Sequence, residues 1–531
     1  MRKMILTLVA AITLMTATAQ TMNIQAGSVT YLVPAEQAGY MSYANASTLT
    51  VMEKTLSIAD IDKVSIDNTT VTDNAVNVTY NGSTATVTVP GALMKYLTVE
   101  VSGADVSITQ SADLTNDLIT AGTVSEIVYT LSGSSTNGSF YMDGESKATF
   151  VLSNLTLTST TGSPLHIACG KRIALTLDGT STLVDCANGT QKGCVWIKGH
   201  TEIDGTGTLN ITGKTSHGFW GKEYLQIKKN AGTVNILGAV GDGINVNQYY
   251  QQNGGTVSIK NVGDDGLSVS YKTDDTDAII PLTEDEDNTG AVLIQGGNLT
   301  IAATAAAAKG VKSEGALTIN DIKSTPVITI TTSGGVTTTT SGGTTDISGC
   351  LITSQFTVST SGSDLLSRNS GNVISTNNYC QGNWDAANAC GDVNLLTEAQ
   401  VSGGEACFLL EGRQPGSTAW RQTLGTDPTP VPDTSHATVY CLSHLHCDGT
   451  PYTTLGGFTN DASLNGQDEH DFRDGICLYC GHIETQDLPQ DERGYYQIAS
   501  ASMLNTFAQM VEGGNTDICG VLTDDIDFTA Y

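Results

Sequence analysis

Apolar and polar residues alternate along much of the first 330 positions. The clearest case is Val76, Val78 and Tyr80, then Asn81-Gly82, then Ala85, Val87 and Val89. A period of two puts one side of a strand on a core, and Asn-Gly supplies the positive-φ residues of a tight turn, so this segment predicts a β-hairpin. Downstream, four similar strings recur: Gly-Thr-Leu-Asn-Ile from Gly207, Gly-Thr-Val-Asn-Ile from Gly232, Gly-Thr-Val-Ser-Ile from Gly255 and Gly-Asn-Leu-Thr-Ile from Gly297. A second series, His217-Gly218, Asp242-Gly243, Asp265-Gly266 and Lys309-Gly310, follows in phase with the first. The step from Gly255 to Gly297 is lengthened by an acidic insertion that runs from Tyr271 to Asn288. Units of this length, built from short strands and glycine turns, bury their apolar face only by stacking on one another. The expected fold is all-β, a parallel β-helix, with earlier units at Ala148-Thr-Phe-Val-Leu, Leu155-Thr-Leu and Ile173-Ala-Leu-Thr-Leu.

Aligning the units on the second glycine puts Phe219, Ile244, Leu267 and Val311 in an apolar column predicted to point inward. The next column, Trp220, Asn245, Ser268 and Lys312, then points outward. The column before the glycine reads His217, Asp242, Asp265 and Lys309, and neighbouring strands lie about 4.8 Å apart, so Asp242 and Asp265 meet as like charges. Asp264 adds a third carboxylate. Ca²⁺ held through oxygen ligands, with help from Asp274, Asp275 and Asp277 in the insertion, would relieve that repulsion. Neutralisation of Asp265 by Lys309, with the other acids solvated, is the competing arrangement. Trp220, Tyr224, Tyr249, Tyr250 and Tyr271 fall beside the turns, where exposed rings could stack on sugars; with Asn245, Ser268, Lys309 and Lys312 they are the candidate ligand contacts.

Composition narrows the function. Asp and Glu outnumber Lys and Arg 54 to 24 over 531 residues, a formal charge of -30, so phosphate backbones would be repelled and nucleic acid is not an expected partner. Arg2-Lys3, an apolar run from Met4 to Met15 and Ala17-Thr18-Ala19 form an export signal, so the protein is expected to be secreted or displayed at the cell surface. No later run is long and apolar enough for a membrane span.

The segment from about Val128 to Thr332 carries Asn154-Leu-Thr-Leu, Gly179-Thr-Ser-Thr-Leu, His217-Gly-Phe-Trp-Gly-Lys-Glu-Tyr, Gly241-Asp-Gly-Ile-Asn, Asp264-Asp-Gly-Leu and Lys309-Gly-Val-Lys-Ser-Glu-Gly. It resembles the carbohydrate-binding β-helix family related to polygalacturonate-binding proteins. The resemblance implies a right-handed parallel β-helix, bound Ca²⁺ at Asp242, Asp264 and Asp265, and affinity for acidic plant polysaccharide without catalysis. His217-Gly218 and Asp264-Asp265 also match two short motifs of polygalacturonase-type enzymes, but in the wrong order along the chain. A lyase or hydrolase is therefore the alternative reading, and a structural adhesin that binds protein is the third.

Residues 399–410 and 420–427, and the stretch from Tyr495 to Asp527, resemble segments of surface adhesin-like proteins. The prolines between Asp427 and Asp433 predict an extended spacer. Beyond them, Cys441, His444 and Cys447, then Cys477 and Cys480, have the paired two-residue spacing of a structural Zn²⁺ site, with disulfides as the rival in an exported protein. Leu504, Phe507, Met510 and Val511 predict a helix and Val521 to Phe528 a strand; these cannot make a core alone, so more chain is expected after Tyr531. The expected organisation is a signal peptide (1–19), a β-rich region (20–108), the carbohydrate-binding β-helix (109–334), a Ser/Thr/Gly-rich and adhesin-like segment (335–426), a Pro linker (427–436), the Cys/His module (437–486) and the start of a further domain (494–531).

Overall fold

The computed structural model describes residues 20–39, 41–44 and 47–303, shorter stretches between 305 and 396, and most of 397–526. The expected export signal, residues 1–19, lies outside the described residues. The chain divides into two compact units at Leu396.

The first unit opens with the expected hairpin. Ala75–Asn81 pairs antiparallel with Thr84–Pro90, Val78 opposite Val87, and Gly82 takes the positive φ of 63° that its turn requires. The alternating apolar residues are buried.

Downstream the strands pair in parallel, in the register the repeats predict. Thr208 lies opposite Thr233, Thr233 opposite Thr256 and Thr256 opposite Asn298. Eight of these strands close a ring: Ala148–Thr158, Ile173–Asp178, Thr201–Asp204, Leu225–Ile227, Tyr249–Lys260, Thr233–Ala239, Thr208–Gly213 and Thr180–Val184, the last pairing again with the first. This closed parallel barrel corrects the right-handed parallel β-helix expected from the repeats. The physical reason lies in the two long strands. Ala148–Thr158 continues through Asn154 at φ 48° and Tyr249–Lys260 through Gly255 at φ 66°, positions where the sequence reading breaks the strand. Each long strand pairs one half with one neighbour and the other half with another, so strand sets that look separate in sequence belong to one hydrogen-bonded sheet.

A second sheet of ten strands carries the candidate site. From Asp105–Gln110 it continues through Ser139–Asp143, Leu165–Ile167, Gly193–Ile197, His217–Gly221, Ile244–Asn247, Leu267–Ser270, Val311–Ser313 and Thr338–Thr340, all parallel. Phe219, Ile244, Leu267 and Val311 pair in sequence and are at most 1% exposed, as their column predicts. Each contributes about 1.5–3 kcal/mol of transfer free energy to a shared core.

In the second unit Tyr440–Leu445 pairs with Pro451–Thr459, and the expected helix forms as Ala501–Glu512, capped by Ser500 on the Met503 amide. Residues 427–436, expected as an extended spacer, turn back on the chain: Arg421 and Val431 exchange backbone hydrogen bonds of 2.7 and 2.8 Å, and His436 Nδ1 lies 2.8 Å from Asp427.

Candidate functional site

Asp242, Asp264 and Asp265 come together at the mouths of two adjacent strands, each offering a carboxylate oxygen within 4.8 Å of the others. Parallel pairing forces this: Ile244 lies opposite Leu267, so the residues two before each strand position also meet. The turns are fixed by their own carboxylates. Asp242 Oδ1 accepts the Asp265 amide hydrogen at 2.9 Å and its Oδ2 accepts from Asn245 Nδ2 at 2.7 Å. One unit on, Asp265 Oδ1 accepts the Lys309 amide hydrogen at 2.9 Å. Asp242 and Asp265 are 5% and 1% exposed, whereas Asp264 is open to solvent.

Burial, reinforced by the neighbouring charges of Asp265 and Asp264, pushes the Asp242 carboxyl up to about 6 against the opposing pull of its hydrogen bonds. Lys309 Nζ lies 3.5 Å and Lys312 Nζ 3.7 Å from Asp265, so this carboxylate has two cationic neighbours. His217 adds no third. Its Nδ1 accepts the Asp242 amide hydrogen at 3.0 Å, which puts the proton on Nε2, and burial pushes the imidazole down to about 4. The 3.4 Å approach of His217 Nδ1 to Asp242 is therefore not an ion pair at neutral pH. Three carboxylates face two ammonium groups. When Asp242 ionises, the cluster carries an uncompensated negative charge, and its donors are all hard oxygens that suit Ca²⁺.

Asp274, Asp275 and Asp277 lie in the exposed insertion and are not part of this group. Asp274 spends one oxygen on its own turn, accepting from Thr276 and Ala278 at 2.7 to 3.1 Å.

The outward column forms as expected, Trp220 opposite Asn245, Asn245 opposite Ser268 and Ser268 opposite Lys312, although Ser268 is only 3% exposed. The remaining aromatic candidates divide. Tyr224 and Tyr249 stack face to face at 4.5 Å on another side of the unit, with His200 stacked on Tyr224 at 4.3 Å. Burial pushes the Tyr224 phenol up to about 12. The insertion is tied down here: Lys272 Nζ reaches Glu223 at 2.5 Å and Asp285 at 3.2 Å, and Gln248 joins Asp285 to the Tyr224 amide. His200 Nε2 lies 3.1 Å from Glu223 Oε2 but without hydrogen-bond geometry. Tyr271, at the start of the insertion, donates its amide hydrogen to Glu314 at 2.8 Å. Tyr250 is corrected as a ligand contact: strand alternation turns it inward, where it is fully buried and its hydroxyl donates to Gln252.

The outward column also extends where the sequence reading does not follow it. Tyr141 pairs with His166, His166 with Trp196 and Trp196 with Trp220, giving a continuous aromatic stripe upstream of the acidic cluster. The signal was present in the apolar-x-apolar triplets Phe140-Tyr-Met, Leu165-His-Ile and Val195-Trp-Ile, which lack the glycine used to align the later units.

Of the Cys/His candidates, Cys441 and Cys477 are buried. The His444 side chain, Cys447 and Cys480 lie outside the described residues.

The profile of the carbohydrate-binding domain-containing proteins matches residues 102–389, more than half of the chain and the whole of this site. The chain belongs to that family. Among solved structures, a polysaccharide lyase-like protein from C. thermocellum, in a gadolinium derivative, is similar at 20% identity, with 49% of this chain and 92% of that chain covered and a TM-score of 0.37. No curated protein matches. Family membership makes a polysaccharide the partner class. Among the described residues, no helix is long and apolar enough to cross a membrane.

Proposed function

We propose that this protein is a secreted or surface-displayed, calcium-dependent binder of acidic polysaccharide, such as polygalacturonate, that does not cleave its ligand. The observation that carries the proposal is the meeting of Asp242, Asp264 and Asp265 within 4.8 Å beside the outward column that passes through Lys312. A chain of net charge -30 repels an acidic glycan unless a cation intervenes. Ca²⁺ held by the three aspartates would supply it, ligating carboxylates of protein and sugar together, while Lys312 beside it pairs with another sugar carboxylate. Export rests on the basic, apolar and small-residue pattern of the first nineteen residues.

Affinity electrophoresis through polygalacturonate tests the binding. Retardation should appear with Ca²⁺ and vanish with chelator, while the protein yields neither unsaturated nor reducing ends on prolonged incubation. Retardation unaffected by chelator would remove the calcium part of the proposal. Turnover abolished by Lys309→Ala or Lys312→Ala would replace binding with catalysis.

A further inference from the structure

The aromatic stripe borders a cleft of about 230 Å³ that is separate from the acidic cluster. One wall is Tyr141, His166 and Trp196, the outward residues of three consecutive strands; the other includes Thr161, Thr190 and Gln191 from the turns that lead into those strands. We infer that this cleft is a calcium-independent seat for a neutral hexopyranose unit of the bound polysaccharide. The inference rests on the polysaccharide-binding reading and assigns a second contact to it.

Four observations carry it. The rings hold one another: His166 stacks on Trp196 at 4.0 Å and 8°, Tyr141 meets His166 at 5.0 Å and 72°, and Trp220 meets Trp196 at 88°. Rings already fixed lose little rotamer freedom when a ligand arrives, so more of the contact energy appears as affinity. Second, burial pushes His166 down to about 4, so at neutral pH its ring is an uncharged aromatic surface. Third, the opposite wall is polar and held in place, Gln191 Nε2 donating to Asp185 at 2.8 Å and to the Cys186 carbonyl at 3.0 Å. A cleft with aromatic groups on one side and a few fixed polar groups on the other suits a pyranose, whose C–H face packs on π surfaces while its rim of hydroxyls takes hydrogen bonds.

Fourth, charges of both signs lie beside the stripe. The Asp143 carboxylate acts on His166 and Tyr141 at one end, and Lys192 Nζ lies 4.5 Å over the Trp220 ring at the other. Among the described residues, the stripe offers no excess positive charge to select a uronate and no group of three carboxylates to recruit Ca²⁺, which distinguishes it from the site at Asp242, Asp264 and Asp265. Both lie on one ladder. From Trp196 the column passes Trp220, Asn245 and Ser268 to Lys312, four steps or roughly 19 Å, so an extended glycan laid along the sheet touches both.

Calorimetry and tryptophan fluorescence of the full chain with cellohexaose and mannohexaose, in the presence of chelator, test the assignment. At least one should bind and quench fluorescence, Trp196→Ala should weaken it by about tenfold or more, and Trp196→Phe should restore it. Tyr141→Ala, at the rim, serves as the second variant if thermal melting shows that Trp196→Ala does not fold, and it too should weaken binding. Failure of both sugars to bind, or binding that neither variant weakens, overturns the seat. Neither result bears on calcium-dependent retention of polygalacturonate, which is read separately.

Discussion

Asp242 concentrates the electrostatics of the site in one side chain. Its folded-state carboxyl sits near 6 rather than at the ordinary 3.8, because it is buried and faces two other aspartates. A raised pKa favours the protonated folded state: the benefit is fully present below about pH 4 and is lost as pH rises through about 6, a swing of about 3 kcal/mol. In chelator, therefore, the stability of the parent should fall between these limits, and Asp242→Asn should flatten the fall; a parallel pH profile for the two proteins by urea unfolding would contradict this. On the calcium proposal, Ca²⁺ competes with that proton. Its stabilisation should be greater at about pH 7.5 than at about pH 5, and Asp265→Ala should remove most of it. A melting temperature indifferent to Ca²⁺ at both pH values would leave the two lysines as the sufficient partners of Asp265.

The strands and their turns show what was legible in the sequence. Two markers in phase fixed the register, so Trp220, Asn245, Ser268 and Lys312 fell into one column and Asp242 met Asp265 as expected. Closure of the ring was not legible, because nothing in the residue types at Asn154 or Gly255 tells whether a strand ends or bends there. The upstream rings were missed for a different reason: Tyr141, His166 and Trp196 lie in strands without the glycine that marks the later ones. That glycine has a packing cause. A Cβ on Gly243 would lie 2.3 Å from Ile259 Cγ2 and 2.7 Å from the Gly266 carbonyl oxygen, so only hydrogen fits between the turn and the core. Gly243→Ala should cost about 1–3 kcal/mol in urea unfolding; a variant as stable as the parent would show that the turn relaxes freely. At the Cys/His segment the spacing of Cys441, His444, Cys447, Cys477 and Cys480 still motivates a zinc proposal. Native mass spectrometry of the full chain should find one Zn²⁺ there, and a mass lower by two protons for each Cys pair, with no metal, would establish disulfides instead.

Over the whole molecule, a charge of -30 sets the conditions for recognition. Association with an acidic glycan must begin against long-range repulsion, so it should be slow at low salt and quicken as salt screens the charges, until salt also weakens the Ca²⁺ and Lys312 contacts. Family membership makes carbohydrate the partner, and the two proposed contacts on one ladder, carboxylates with lysines and aromatic rings, would hold an extended glycan rather than a single sugar. The most direct measurement is calorimetric titration of the parent and Asp265→Ala with an oligogalacturonate, each with Ca²⁺ and with chelator. The parent should bind with Ca²⁺ alone, and Asp265→Ala should lose about tenfold or more in affinity. Equal binding by the parent with and without Ca²⁺, or by both proteins in Ca²⁺, would contradict recognition through the aspartate cluster.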